Sequence, residues 1–198
     1  MELILVRHGL PEKIINEDGS PADPPLSAVG HEQAMKVAAW LEREQIDRIY
    51  SSPMNRAFQT AEPLAGRLGL PIEVRDGVAE YDQHAGHYIP VEQLKELDYD
   101  RWLRLMKGEM DDIDFPAFVQ NVTRSLEEII QENRGKRVAV TCHGGVINVF
   151  AAHVIGFEPR MFFNPDYTSI NRFRAASSGE KSVITLNEHF HLRGDSHP

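Results

Sequence analysis

Three segments of the chain end on cationic or imidazole side chains. Residues 3–9 read LILVRHG, 51–57 read SSPMNRA and 138–145 read VAVTCHGG. Arg7, His8, Arg56 and His143 are therefore each expected where a strand stops or a helix begins. In an open parallel sheet, ligands bind at the carboxyl ends of the strands. Two arginines and two histidines brought to one crevice make an anion site. Phosphate fits it best, because the planar guanidinium fork matches phosphate oxygens. Gly9 and Gly144 directly follow the two histidines. Glycine there lets a backbone N–H approach a ligand closely, and a helix opening at Gly144 adds a positive N-terminus.

The elements that must position these residues can be read from hydrophobic spacing and turn signals. Residues 2–6 form a buried strand, and 10–25, with Pro11, Gly19, Pro21, Pro24 and Pro25, form a loop. A helix capped by Ser27 carries Ala34, Val37, Ala38 and Leu41 on one face. A short strand over 47–51 leads to a helix opening at Ser52-Pro53 and ending near Gly69, with Pro63 expected to kink it. Residues 72–75 read as a strand and 76–89 as a loop. Pro90 opens one helical stretch to about 107. A helix from Asp114 carries Phe115, Phe118, Val119, Val122, Leu126, Ile129 and Ile130 at core spacing. A strand over 136–142, a helix over 146–155 and two last strands, 169–175 and 182–188, complete the order, with a loose tail from His189. Strands alternating with helices predict an α/β three-layer sandwich around a mainly parallel sheet, in a single domain spanning 1–198.

Composition narrows the function. A net charge of −9 repels a nucleic-acid backbone, which argues against a nucleic-acid partner but not against a small anionic substrate. No run is long enough to span a bilayer, and Arg7 breaks the N-terminal apolar run too early for a signal peptide. With one cysteine, Cys142, a reducing, cytoplasmic location is expected. Cysteine phosphatases use C-x5-R, but the sixth residue after Cys142 is Asn148, so Cys142 reads as a buried strand residue. His189 and His191 alternate on a terminal strand and His197 lies in the tail, so no metal site is expected. His31 reads as a solvated helix residue.

LVRHG, LSAVGHEQAMKVAAWL, SSPMNRAFQTAEPLA, VTCHGG and SINRF occur in this order and touch nearly the whole chain. In that arrangement the chain resembles the histidine phosphatase superfamily, also called phosphoglycerate-mutase-like. The resemblance implies that His8 attacks phosphorus and carries the phosphoryl group, while Arg7, Arg56, His143 and the Gly144 N–H hold its oxygens. It implies a carboxylic acid within DGVAEYDQHAGHY (76–88), where Glu80 falls at the family position and Asp82 is a nearby rival. It also implies a lid-like region at about 76–115, with Tyr81, Asp82, His84, His87, Tyr88 and Trp102 as substrate-specificity candidates. Ser169 and Asn171 either brace the pocket or serve only the strand.

The chemistry is consistent with those roles. A histidine nucleophile must be neutral, and adjacent guanidinium groups disfavour imidazolium. A backbone carbonyl is expected to hold its other ring nitrogen. Arg7, Arg56 and a protonated His143, at about 1.5–3 kcal/mol per charge-assisted bond, can supply much of the binding with no cofactor or metal. The acid needs a raised pKa to remain protonated. The expected function is hydrolysis of a small phosphorylated metabolite. A phosphoglycerate mutase is disfavoured by LPEKII after RHG, which lacks the family's substrate-holding serine and asparagine. A non-catalytic phospho-ligand binder is the third reading. Family members are often dimers, so a homodimer is an open partner.

Overall fold

A computed structural model of the chain describes residues 1–18, 20–89, 91–107 and 114–193. Its centre is β1 (Glu2–Arg7), a strand with Leu3, Ile4, Leu5 and Val6 all essentially inaccessible to water. Such a strand needs cover on both faces. Leu3 and Leu5 pack with α5 (Phe115–Glu132) and α6 (Gly144–Ile155). Ile4 and Val6 pack with α1 (Ala28–Leu41) and α2 (Asn55–Leu68). The alternation of side chains along a strand thus builds the three layers.

With β3 (Arg48–Ser51), β4 (Ile72–Val74), β6 (Arg137–Cys142), β7 (Ile170–Ala175) and β8 (Lys181–Glu188), β1 forms a six-stranded sheet. The order is β4-β3-β6-β1-β7-β8. The first three neighbouring pairs run parallel and the last two antiparallel. Cys142 sits buried on β6, where loss of water pushes its thiol pKa up.

Several expectations are corrected. Two-residue strands β2 (Ile14–Ile15) and β5 (His87–Tyr88) pair antiparallel, joining the two segments expected to be loops. The stretch expected as one helix is two, α3 (Val91–Leu97) and α4 (Tyr99–Lys107). At the break, Asp98 N donates to Leu94 O at 2.8 Å and Asp98 O accepts from Trp102 N at 3.0 Å. Aspartate favours such a helix start. Pro90 lies outside the described residues.

Helix α2 starts at Asn55, not at Ser52-Pro53. Its first N–H donates to Asp23 Oδ1 at 2.9 Å, so a distant loop does the capping. It continues through Pro63 to Leu68. The segment after His189 is not loose throughout: Phe190–Leu192 form a 3-10 turn, and His191 Nε2 lies 3.0 Å from Thr168 Oγ1. His197 lies outside the described residues.

Candidate active site

Parallel pairing of β1 with β6 sets Arg7 opposite Cys142, so the next residues, His8 and His143, leave the sheet side by side. Their ring centres are 5.1 Å apart. His8 is 3 % exposed and its Nδ1 lies 2.8 Å from Gly9 O. A carbonyl only accepts, so Nδ1 carries the hydrogen and a neutral ring keeps its lone pair on Nε2. Burial, then the charges of Arg56 and Arg7, holds the His8 pKa well below the ordinary histidine value. The ring is neutral at physiological pH.

Arg56, in the first turn of α2, is fully buried. Its Nη2 donates to Asp82 Oδ1 at 2.8 Å, while Nε and Nη1 are buried without a partner. Arg7 Nη1 donates to Pro165 O, and Arg7 Nε is likewise unpartnered. His143 Nε2 is 2.8 Å from Ser52 Oγ, leaving Nδ1 unpartnered. Each buried unsatisfied polar group costs about 1–3 kcal/mol, so a cluster of them calls for a ligand. The expected protonated His143 is corrected. Burial, then Arg56, His8 and Arg7, pushes its pKa well below the ordinary value, so the ring is neutral.

Glu80 follows a 3-10 turn at Asp76–Val78 and is 7 % exposed. Its Oε2 accepts from Gly145 N at 2.8 Å and its Oε1 from Tyr81 N at 3.2 Å. Burial, then the charge of Asp82, raises its pKa to about 7. The rival carboxylate, Asp82, is engaged by Arg56.

The glycines act differently from the expectation. Gly9 N donates to Thr60 Oγ1 at 3.0 Å, and a Cβ on Gly9 would stand 2.6 Å from Gly30 O. Gly9 therefore lets β1 lie against α1 rather than making room for a ligand. A Cβ on Gly144 would meet nothing closer than 3.9 Å, whereas one on Gly145 would stand 2.2 Å from Glu80 Oε1. The acid's seat depends on Gly145 and on Gly77, where a Cβ would stand 2.6 Å from Ser125 Cβ on α5.

Of the remaining candidates, Tyr81 packs edge-on to Phe118 with ring centres 5.8 Å apart. Tyr88 is buried against Arg56, His87 is half-buried beside it on β5, and His84 is exposed. Trp102 stacks on Tyr99, with Lys95 Nζ 4.9 Å from its ring, both contacts within the α3–α4 pair. His31 is exposed.

Ser169 and Asn171 tie β7 and the residue before it to β1. Ser169 O accepts from Arg7 N at 3.1 Å, and Asn171 Nδ2 donates to Leu5 O at 3.3 Å. His189 Nδ1 lies 3.0 Å from Asp166 Oδ2. Among the described residues, no group of three His, Cys, Asp or Glu side chains is arranged to hold a metal ion.

Sequence reasoning missed Ser52, Tyr167 and the bracing role of Asn148. Asn148 Oδ1 accepts from Phe162 N and Phe163 N at 2.8 and 3.2 Å, fixing the loop that brings Pro165 to Arg7. A lone asparagine inside the apolar run of α6 was its signal. A hollow of about 730 Å³ lies at the other end of the sheet, lined by Met1, Asp47, Lys136 and Arg174 among others. It is open to solvent and holds none of these groups.

The protein is an α/β sandwich with a crevice at the carboxyl ends of its central parallel strands, into which Arg7, Arg56, His8, His143 and Glu80 are gathered. The chain belongs to the histidine phosphatase superfamily (branch 1), whose family model matches residues 3–188. It is 30% identical to phosphoserine phosphatase 1 of Hydrogenobacter thermophilus, over 83% of this chain and 81% of that one. It is 28% identical to the adenosylcobalamin/alpha-ribazole phosphatase of Escherichia coli, over 96% and 92%. A phosphoserine phosphatase of Entamoeba histolytica, solved with phosphoserine, superposes with a TM-score of 0.76 at 25% identity, covering 97% of this chain and 99% of that one. Among the described residues, no helix is long and apolar enough to cross a membrane.

Proposed function

We propose that the chain is a phosphoric monoester hydrolase that acts on a small phosphorylated metabolite through phosphohistidine at His8. The observation that carries the reading is the set of unpartnered buried nitrogens on Arg7, Arg56 and His143 around a neutral imidazole. In the first step His8 Nε2 bonds to phosphorus, the phosphorus–ester oxygen bond breaks, and Glu80 gives its proton to the leaving oxygen. In the second step the Glu80 carboxylate takes a proton from water. That water oxygen bonds to phosphorus and the phosphorus–nitrogen bond breaks. Inorganic phosphate leaves and both residues are restored. The two arginines stay charged and Arg56 keeps its link to Asp82, so they neutralise the oxygens without proton bookkeeping.

Similarity to phosphoserine and alpha-ribazole phosphatases supports a small metabolite as substrate. The region 76–115 serves as the lid-like part of one domain. The acidic surface and the single buried thiol fit a cytoplasmic enzyme with no nucleic-acid partner. Sedimentation equilibrium tests whether the chain forms the homodimer common in the family.

The function is tested by rapid acid-free quenching during turnover of a phosphomonoester panel that includes phosphoserine. An acid-labile phosphoramidate should appear in the wild type and be missing in His8→Ala. Hydrolysis at wild-type rate by His8→Ala would overturn the proposal.

A further inference from the structure

The two imidazoles of the pocket are held by different kinds of partner. His8 Nδ1 meets a backbone carbonyl, Gly9 O, which can only accept. His143 Nε2 meets the Ser52 hydroxyl at 2.8 Å, a group that can donate or accept. A neutral imidazole carries its hydrogen on one nitrogen and a lone pair on the other. What Ser52 does therefore decides what the remaining nitrogen of His143 offers a ligand. That nitrogen, Nδ1, is buried and unpartnered, like Arg7 Nε and Arg56 Nε and Nη1.

The bonds around Ser52 settle the choice. Ser52 and His143 are both inaccessible to water. Ser52 follows β3, and its N–H donates at 3.0 Å to the carbonyl of Thr141 on β6, two residues before His143. Its own carbonyl accepts from Ser51 Oγ at 2.8 Å. Met54 N donates to Ser52 Oγ at 3.3 Å, which uses that oxygen as an acceptor and leaves its hydrogen to be placed. Among the described residues, the hydroxyl hydrogen-bonds only with Met54 N and His143 Nε2. If Nε2 carried the ring hydrogen, Ser52 would accept twice and its own hydrogen would be buried with no acceptor. Nδ1 would then turn a lone pair to the oxygens of a bound phosphate. A charged ring would strand the same hydroxyl hydrogen, beside two guanidinium groups. If Ser52 donates, its hydrogen and the Nε2 lone pair satisfy each other. One orphan remains, the Nδ1 hydrogen, and a phosphoryl oxygen can take it. Buried donors are rarely left unpaired, so the contacts select the donating hydroxyl.

We propose that Ser52 is a positioning residue of the phosphate pocket: its hydroxyl donates to His143 Nε2 and so fixes the ring hydrogen on Nδ1, where it meets a phosphoryl oxygen. The inference rests on the reading of the pocket as a phosphate site. Both histidines then carry hydrogen on Nδ1 but present opposite edges to the substrate. His8 gives that hydrogen to Gly9 O and offers its Nε2 lone pair to phosphorus. His143 gives its lone pair to Ser52 and offers the hydrogen. A lone pair beside phosphoryl oxygens would repel them, so the hydroxyl turns a neutral ring from an obstacle into a donor. The backbone bonds that tie Ser52 to Thr141 and Ser51 hold the hydroxyl in register with the ring.

The test reads the ring directly, by heteronuclear NMR of protein carrying isotope-labelled histidine in phosphate-free buffer at neutral pH. The His143 signals are assigned by their loss in His143→Gln. The wild type should show hydrogen on Nδ1 and none on Nε2. In Ser52→Ala the guanidinium groups draw the lone pair to Nδ1, so hydrogen should appear on Nε2. That variant should also bind inorganic phosphate about fivefold more weakly by calorimetry, the size of one neutral hydrogen bond. His153, in the last turn of α6, should keep its ring signals in the variant, which a general loss of structure would not allow. Hydrogen on Nε2 in the wild type, or wild-type phosphate affinity in Ser52→Ala, would overturn the proposal. Trapping phosphohistidine in parallel separates it from the hydrolase reading. A wild type that forms none, with the ring state and the phosphate loss as expected, removes the hydrolase reading and leaves the role of Ser52 in phosphate binding standing.

Discussion

Glu80→Gln separates the cost of burying this carboxyl from its use. The folded pKa is about 7 and the ordinary value is 4.5. Between those values the folded chain binds a proton that the unfolded chain does not. Because the pKa is raised, its contribution to stability is fully present below pH 4.5 and is lost as pH rises through about 7. The window is 7 − 4.5, about 2.5 pH units, which at 1.36 kcal/mol per unit amounts to about 3 kcal/mol.

Glutamine does not titrate. It keeps one acceptor for Gly145 N and Tyr81 N, which now donate to two carboxylate oxygens. That loss adds an offset of about 1–3 kcal/mol that is independent of pH. His8 and His143 titrate with the opposite sign. Their lowered pKa values make both proteins lose stability as pH falls below 6.5. This slope is common to wild type and variant and cancels in the difference.

Urea denaturation in phosphate-free buffers from pH 4.5 to 8 should therefore show the wild type losing about 3 kcal/mol relative to Glu80→Gln across that window. Hydrolysis of an alkyl phosphate at pH 6 should fall by about 10²–10⁴ in the variant. The wild-type rate should decline above pH 7 as Glu80 loses its proton, and the variant's residual rate should not. A flat difference curve together with retained hydrolysis would refute the reasoning and move the acid role to Asp82.

Gly145→Ala should abolish most activity, because its Cβ would stand 2.2 Å from Glu80 Oε1. Gly144→Ala, with nothing closer than 3.9 Å, should retain activity, and kcat for the two variants checks the contrast. Arg56→Met keeps the aliphatic stem and removes a buried charge with two unpartnered nitrogens. It also strips Asp82 of its ion-pair partner, so it should lower the urea midpoint in phosphate-free buffer as well as abolish phosphate binding. Inorganic phosphate at a hundred times its dissociation constant should stabilise the wild type by about 2.7 kcal/mol and the variant by nothing measurable.

The legible parts of this fold are those with dense local signals. β1 is apolar on both faces, so its central place and the emergence of Arg7 and His8 at its end follow from residues 2–8 alone. The Ser27 cap behaves as its type requires, its side chain accepting from Gly30 N at 3.1 Å. What escaped is decided by tertiary contact. β2 and β5 have two residues each, too few for any period to show. Asp98 is an unremarkable aspartate until two helices meet at it. The glycines taught the same lesson from the other direction. Their presence was obvious, yet Gly9 serves the close approach of the chain after β1 to Gly30 of α1 and Gly145 a carboxyl group, contacts that no local rule supplies. Tyr167 carries no motif, and it reaches Arg7 and His8 from a turn held by Asn187 and His191, with Asn187 Oδ1 accepting from Asp166 N at 2.7 Å.

The site also links two properties that could have been separate. An overall acidic chain concentrates two guanidinium groups around two imidazoles and balances them with a single salt-bridged carboxylate, Asp82. The unneutralised charge makes the pocket attractive to phosphate oxygens. The same charge holds His8 and His143 neutral, with burial as the larger cause. On the proposed mechanism, grip and nucleophilicity therefore share one contributor, the arginine charge. Weakening either arginine loosens the phosphoryl group and also lets His8 take up a proton at a higher pH, so the acid limb of the rate profile must move upward as affinity falls. A pocket that bound phosphate through metal or lysine contacts remote from the imidazole would not couple the two, because distance and solvent screening would separate them.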